Sequence, residues 1–233
     1  MAGKLYLIPV TLGSDDYHYV LPDRVLQITR SLRSFIVEDL RSARRFLRMI
    51  DKSFPIDESV FRVLNKHTES RELGAMITQI ELNDTGLMSE AGMPGIADPG
   101  APLIAGAHNK DLTVVPLSGP SSVFLALSAS GFSGQNFAFN GYLPIDKGNR
   151  SRQLKRLESL ANQGQVQVFM ETPYRNISLV NDLLNNLGRK TKLCIAAGIT
   201  TGDEYIKTMS VGSWIKEDTP EIHKKPAIFI IGK

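Results

Sequence analysis

Short apolar segments alternate with longer amphipathic segments along most of this chain, and this alternation constrains the fold more than any other feature. Apolar runs at residues 5–9, 34–37, 61–64, 86–88 and 112–116 predict strands, and amphipathic stretches at 22–30, 40–50 and 69–82 predict helices between them. Strand–helix–strand alternation is typical of a parallel sheet covered by helices. The first half therefore predicts an α/β domain with a mostly parallel sheet.

The second half keeps the alternation but ends differently. It predicts helices at 122–130, 150–162 and 174–187 and strands at 137–143, 166–171, 192–197, 204–209 and 227–231. The last three strands follow one another without helices, which predicts a mixed sheet. Because a turn at Ser118-Gly119-Pro120 separates the halves, we predict two α/β domains, 1–117 and 118–233, each near the commonest domain size.

Composition excludes several classes of protein. Cys194 is the lone cysteine, so an internal disulfide and a cysteine-cluster metal site are excluded, and the four histidines lack ligand spacing; we expect no metal. No apolar run approaches the roughly 18 residues of a membrane span. The N-terminal residues do not have the pattern of a signal peptide. Together with a net charge of +3, this predicts a cytoplasmic protein and weakly favours a nucleic-acid partner.

The segment 89–100, called here the Gly/Pro loop, reads SEAGMPGIADPG and follows a predicted strand directly. Ligands of parallel α/β sheets bind beyond the carboxyl ends of strands. Glycine there lets the backbone approach a ligand closely, and proline holds the loop in one shape. The loop lacks the Gly-Lys-Ser/Thr ending of a phosphate loop. It predicts a binding site for a small molecule, with a structural turn between strand and helix as the alternative.

The same segment closely resembles the signature of the tetrapyrrole methylase superfamily, and most closely that of its branch that methylates a ribose 2′-hydroxyl of 16S ribosomal RNA. Further matches to that branch follow in order: SGPS at 118–121, LSASGF at 127–132, FAFNGYLP at 137–144, a basic helix start KGNR at 147–150, and ETPYR at 171–175. The resemblance spans nearly the whole chain, and the combination of motifs is specific.

This resemblance implies a methyltransferase that holds S-adenosylmethionine in a cleft between two α/β domains, usually as a homodimer. It implies donor contacts, by position, at residues of the first domain: Pro9, Ser89, Glu90, Ala91, Gly92, Ile96 and Ala97. It implies further contacts at residues of the second domain: Ser118, Pro120, Ser121, Phe169, Met170 and Ala197.

Carboxylates and arginines supply candidates for catalysis and acceptor binding. Glu38 and Asp39 end the second predicted strand and are candidates for a catalytic base, although Asp39 could equally cap the next helix. Glu171 and Arg175 are candidates for substrate binding or for a local ion pair. Four arginines, called here the arginine stripe, recur along one helical face and would bind RNA phosphates or form a solvated surface: Arg41, Arg44, Arg45 and Arg48.

Three functions remain open from the residues. The first is a methyltransferase acting on RNA, with RNA or a ribosomal subunit as partner. The second is a methylase of a small molecule such as a tetrapyrrole-like precursor, and the third is a non-catalytic S-adenosylmethionine-binding paralogue. One departure bears on the choice: the family has an Arg-Glu pair where this chain has Ala197-Gly198. Any ion pair or substrate contact made by that pair is absent here.

Overall fold

A computed structural model describes residues 2–233 and their side chains, apart from the side chain of Ser70. The chain packs as two compact units, one ending at Ser121 and the other beginning at Ser122. The predicted domains, 1–117 and 118–233, stay a prediction, because compact packing does not test whether either part folds independently.

The first unit is built on a five-stranded sheet in the order β3-β2-β4-β1-β5, in which every neighbouring pair is parallel. Its strands are β1 (Lys4–Ile8), β2 (Ser34–Val37), β3 (Val60–Val63), β4 (Thr85–Met88) and β5 (Thr113–Pro116). Its helices are α1 (Asp23–Ser31), α2 (Leu40–Ile50), α3 (Ser70–Leu82) and α4 (Ala101–His108), with a 3-10 turn at Ile56–Glu58. The predicted parallel sheet is confirmed.

Helices cover both faces of this sheet. Phe35 and Ile36 are adjacent and fully buried, yet they pack into different clusters, because successive strand side chains point to opposite faces. The Phe35 cluster includes Leu47 of α2, and the Ile36 cluster includes Ile80 of α3 and Leu103 of α4. Since both faces are covered, the loops at the strand ends are the places left for a ligand.

The second unit contains a mixed sheet, as predicted, in the order β6-β7-β10-β8-β9. Its strands are β6 (Phe137–Tyr142), β7 (Val166–Glu171), β8 (Lys192–Ala197), β9 (Tyr205–Ser210) and β10 (Ala227–Gly232), of which only the β6–β7 pair is parallel. Its helices are α5 (Ser122–Ala129), α6 (Lys147–Asn162), α7 (Asn176–Asn186) and the short α8 (Val211–Trp214), with a 3-10 turn at Pro173–Arg175.

Several element boundaries differ from the predicted ones. Helix α6 begins at Lys147 rather than at residue 150, because the Asp146 carboxylate accepts a hydrogen bond from Asn149 N at 2.8 Å and caps the helix earlier. Helix α7 begins two residues later than predicted, after the 3-10 turn. Helices α4 and α8 were not predicted. Among the described residues, no helix is both long enough and apolar enough to cross a membrane.

Candidate functional site

Three of the predicted segments meet at the carboxyl edge of the parallel sheet, where β4, β1 and β5 lie side by side. Val10 N donates a hydrogen bond to the Gly92 carbonyl oxygen at 2.9 Å. A Cβ added to Gly119 would lie 2.3 Å from Pro9 Cβ, and one added to Gly92 would lie 3.4 Å from the Pro120 carbonyl oxygen. The first loop, the Gly/Pro loop and the 118–121 segment are therefore in direct contact.

The Gly/Pro loop has an unusual backbone. Gly92 and Gly95 have φ values of 73° and 86°, and Ala97 has a φ of 60°, which is strained for a residue with a side chain. The Asp98 carboxylate holds this shape, because it accepts hydrogen bonds from Gly95 N at 2.9 Å and from Gly100 N at 2.8 Å. Sequence reasoning did not single out Asp98, although Asp before Pro-Gly is a recognised turn signal.

The loop leaves part of its surface open. Glu90, Ala91 and Ala97 are exposed, and Ile96 keeps 40% of its surface exposed. Ser89 is buried, and its hydroxyl donates to the Ala91 carbonyl oxygen at 3.2 Å. Along the neighbouring segment at 118–121, the residue Ser118 is exposed, whereas Pro120 and Ser121 are buried.

Glu38 joins the end of β2 to the Gly/Pro loop. Its backbone N–H donates to the Met88 carbonyl oxygen at 3.1 Å, and its carboxylate accepts a hydrogen bond from Glu90 N at 3.1 Å. Burial is the main reason that the pKa of Glu38 is raised, and the negative charges of Glu90, Asp98 and Asp39 add to the rise. Glu38 is thus a carboxylate whose proton affinity is increased by its surroundings.

Asp39 has the opposite environment. Its Oδ1 atom accepts a hydrogen bond from Ser42 N at 2.7 Å and caps α2. This hydrogen bond lowers the pKa of Asp39. The capping alternative considered for Asp39 is therefore present in the structure.

A groove with a volume of about 820 Å³ lies beside Glu38 in the first unit. Three predicted site residues line it, namely Glu38, Glu90 and Ala97. The other lining residues belong to the 64–68 segment after β3, to α3, and to the chain around the start of α4: Leu64, Asn65, Lys66, His67, Thr68, Leu73, Asp98, Pro99 and Pro102. The 65–68 segment was missed from the sequence, because a polar loop after an edge strand carries no motif.

The arginine stripe is exposed over its whole length on α2, and its members are Arg41, Arg44, Arg45 and Arg48. The apolar side of the same helix buries Ala43, Phe46, Leu47 and Ile50. Arg44 lies over the Phe61 ring at 5.5 Å. Within residues 2–233, no carboxylate lies within 4.0 Å of a stripe guanidinium, so the stripe arginines form no ion pair.

The predicted residues of the second unit lie on β7 and β8, with β10 between these two strands. Phe169 is fully buried and stacks on Phe229 with the ring centroids 6.1 Å apart. Ala197 is also fully buried, whereas Met170 is half-buried.

Glu171 and Arg175 form an ion pair at the end of β7. The buried Glu171 carboxylate accepts hydrogen bonds from Arg175 Nε at 2.9 Å and from Thr172 N at 2.7 Å. Arg175 lies in the 3-10 turn that follows the strand, and its side chain is about one-third exposed, at 32%. The ion pair fixes this turn against the sheet.

Within the described part of the chain, no three His, Cys, Asp or Glu side chains are grouped closely enough to hold a metal ion.

Known proteins resemble this chain over most of its length. Residues 4–214 match the family of tetrapyrrole (corrin/porphyrin) methylases. The sequence is 31% identical over 221 residues to the ribosomal RNA small subunit methyltransferase I of Vibrio cholerae, with 93% of this chain and 73% of the relative covered. It is 29% identical over 234 residues to the protein of the same name from Buchnera aphidicola subsp. Schizaphis graminum, with coverage of 98% and 78%.

A solved structure also matches the fold. The crystal structure of the methyltransferase CobJ superposes with a TM-score of 0.63 at 15% sequence identity, covering 100% of this chain and 95% of that one.

Proposed function

Because the chain belongs to the tetrapyrrole (corrin/porphyrin) methylase family, we propose that it transfers the methyl group of S-adenosylmethionine to a ribose 2′-hydroxyl of small-subunit ribosomal RNA. The chain is a methyltransferase, and what remains to be assigned is its donor and its acceptor. The observation that carries the RNA acceptor is the similarity to ribosomal RNA methyltransferases over 93% of the sequence.

The donor site is proposed around the Gly/Pro loop. Gly92 is buried, and an added Cβ would lie 3.1 Å from Leu12 Cδ2, so a side chain here would push against the first loop. The glycine therefore lets the first loop pack closely on the Gly/Pro loop, around which we propose that the donor binds. The first-unit donor contacts in this proposal are Pro9, Ser89, Glu90, Ala91, Gly92, Ile96, Ala97, Ser118, Pro120 and Ser121. From the family resemblance, we also propose donor contacts at Phe169, Met170 and Ala197 of the second unit.

S-adenosylmethionine, when bound, supplies a methyl carbon on a sulfonium that is transferred by in-line displacement, so positioning accounts for much of the rate. The acceptor hydroxyl must lose its proton as its oxygen gains the methyl group. We assign the role of proton acceptor to Glu38, because its raised pKa makes it a better base near neutral pH than an ordinary carboxylate. The groove beside Glu38 is the proposed place of the acceptor nucleotide. Asp39, which caps α2, has a supporting part at most in this proposal.

Phosphate contacts are assigned to the arginine stripe. Guanidinium groups bind phosphate oxygens through two parallel hydrogen bonds, and the stripe guanidinium groups are exposed and form no ion pair within 4.0 Å in residues 2–233. Glu171 and Arg175 are proposed to contribute to substrate binding through the turn that they fix.

The donor part is tested by calorimetric titration with S-adenosylhomocysteine, the product of the transfer. Saturable binding near one molecule per chain is expected. No binding at millimolar product would contradict the donor site, whatever the acceptor is.

The acceptor part is tested by RNA binding in a salt series. Replacing the four stripe arginines by glutamine is expected to weaken RNA binding. The slope of the logarithm of the binding constant against the logarithm of the salt concentration is expected to become shallower by up to about three, because each phosphate contact contributes near 0.7–0.9. The control replaces three exposed cations of α6 by glutamine: Arg152, Lys155 and Arg156. Equal losses for each charge removed would show that the effect is one of net charge and not of the stripe.

The proposal also covers the oligomeric state of the protein and its location in the cell. We propose that the protein is a homodimer, as the family resemblance implies, and light scattering of the purified protein tests this. A cytoplasmic location follows from the proposed acceptor, because ribosomal RNA lies there.

A further inference from the structure

Tyr174 is unusually exposed for an aromatic residue. It lies in the 3-10 turn after β7, and 73% of its surface is accessible to solvent. Its ring meets the His223 ring edge to face, with the centroids 6.3 Å apart and the planes at 79°. His223 is exposed as well. The two rings thus present aromatic surface to solvent in a defined mutual orientation.

The loop that carries His223 is held firmly. Asn176 is fully buried, and its Nδ2 donates to the Ile222 carbonyl oxygen at 2.9 Å and to the Lys225 carbonyl oxygen at 2.7 Å. Lys224 N donates to the Pro173 carbonyl oxygen at 3.1 Å, which joins the loop directly to the turn. Lys224 has a φ of 63°, a conformation that L-residues rarely adopt. Strain of this kind persists where the surroundings fix it, and it is concentrated at functional sites.

The loop also presents one uncompensated cation. Lys225 Nζ pairs with Asp203 at 2.6 Å, and Arg175 pairs with Glu171. Lys224 is exposed, and no carboxylate of residues 2–233 lies within 4.0 Å of its ammonium group. Lys224, which follows His223 in the loop, thus forms no ion pair.

We propose that Tyr174, His223 and Lys224, together the Tyr174 platform, bind an unpaired nucleobase of the RNA acceptor by stacking, with Lys224 against a neighbouring phosphate. This rests on the RNA acceptor proposed above. Exposed aromatic faces stack single-stranded bases with little regard to sequence, and a nearby cation tracks the backbone. RNA is favoured over a protein ligand because RNA offers both a base that can stack on an exposed ring and a phosphate that can pair with a lysine.

The test measures binding of a fluorescein-labelled unpaired oligoribonucleotide by anisotropy. Tyr174→Ala is expected to weaken binding between about fivefold and a hundredfold, which is the range of base–aromatic stacking. Tyr174→Phe keeps the ring and is expected to bind like the wild type. Tyr19 is a matched control, because it is 74% exposed in the other unit, and Tyr19→Ala is expected to leave affinity unchanged.

A second oligonucleotide, with abasic residues but the same phosphates, separates stacking from charge. Wild-type protein is expected to prefer the oligonucleotide with bases, and Tyr174→Ala is expected to lose that preference. Lys224→Gln is expected to make the dependence of the logarithm of the binding constant on the logarithm of the salt concentration shallower by about 0.7. This variant is expected to keep the preference for the oligonucleotide with bases.

The outcomes separate this proposal from the proposed function. If wild-type protein binds RNA and Tyr174→Ala binds it equally well, or if Tyr19→Ala loses as much, the Tyr174 platform is overturned alone. If wild-type protein binds no RNA at low salt, both proposals fall together.

Discussion

Glu38 and Asp39 are adjacent carboxylates whose pKa values are shifted in opposite directions, because their surroundings differ. Asp39 accepts the Ser42 N–H and has a lowered pKa, whereas Glu38 is partly buried near other carboxylates and has a raised pKa. Hydrogen bonding to a carboxylate stabilises its charge, and desolvation opposes that charge. One residue is therefore suited to capping a helix and the other to accepting a proton.

Glu38→Gln removes the proposed base with little change in shape. We expect the rate of methyl transfer to fall roughly a hundredfold to ten-thousandfold, which is the range for general base catalysis. Affinity for S-adenosylhomocysteine is expected to stay unchanged, which calorimetry checks. Asp39→Asn is the control, because asparagine caps helices as well as aspartate does and should keep activity. Full activity of Glu38→Gln would remove Glu38 from the mechanism.

The raised pKa of Glu38 also predicts a dependence of stability on pH. A carboxyl group with a raised folded pKa contributes stability that is full below the unfolded pKa and is lost as the pH rises through the folded value. Glutamine cannot ionise, so Glu38→Gln is expected to gain stability relative to wild type as the pH rises above the unfolded glutamate pKa of about 4. Urea unfolding at several pH values measures this difference. A difference that is constant or declines with pH would contradict the assignment.

A substitution at Gly92 tests the donor site and distinguishes the effect of backbone strain from that of steric contact with neighbouring atoms. Gly92→Ala and Gly131→Ala both place a side chain at positive φ, 73° and 78° respectively, which costs about 1–2 kcal/mol of stability. Only the Cβ at Gly92 meets close neighbours, since Gly131 has open space around it. We expect Gly92→Ala alone to weaken S-adenosylhomocysteine binding, by roughly tenfold or about 1.4 kcal/mol. Similar affinities in the two variants would count against a donor site at this loop.

Among the secondary-structure elements, hydrophobic patterning predicted the strands well but missed the two short helices α4 and α8. Strands β2, β7 and β8 and helix α2 have the predicted bounds, because each is a clear apolar run or amphipathic stretch. Helix α4 was missed, since it has only eight residues, contains Gly106, and buries little more than Leu103 and Ala107. Short helices of this kind are formed by packing and not by local preference.

Arg150 shows what the sequence could not reveal about side chains. It belongs to a run of basic residues at the start of α6, yet the structure buries it in an ion pair with Asp182 of α7. Its guanidinium also donates to the Ile145 carbonyl oxygen at 2.8 Å. The partner lies 32 residues away, so no local pattern indicates the pair.

We expect Asp182→Ala to destabilise the protein by about 3–5 kcal/mol, because it leaves the Arg150 charge buried without its partner. Chemical denaturation measures the change. Arg156→Ala on the exposed face of the same helix is the control and is expected to change stability by less than about 0.5 kcal/mol. A small effect of Asp182→Ala would mean that water reaches the buried guanidinium.

For the whole molecule, the alternation of strands and helices was enough to predict a parallel sheet followed by a mixed one. The structure places Pro9, Gly92 and Pro120, three of the residues expected to contact the donor, together at one sheet edge. Sequence could not predict that the Phe169 ring is withdrawn into the core or that the 65–68 segment lines a groove beside Glu38. These features depend on packing between residues far apart in the chain.

We propose that the whole molecule transfers a methyl group to a ribose hydroxyl of small-subunit ribosomal RNA. The most direct measurement incubates the protein with methyl-labelled S-adenosylmethionine and small ribosomal subunits that lack their RNA methyl groups, and then digests the RNA with alkali. We predict label in the RNA at a single nucleotide whose 3′ phosphodiester resists cleavage, because a methylated 2′-oxygen cannot attack the phosphate. Label in an alkali-sensitive nucleotide, or no label in RNA from a protein that binds S-adenosylhomocysteine, would contradict the account.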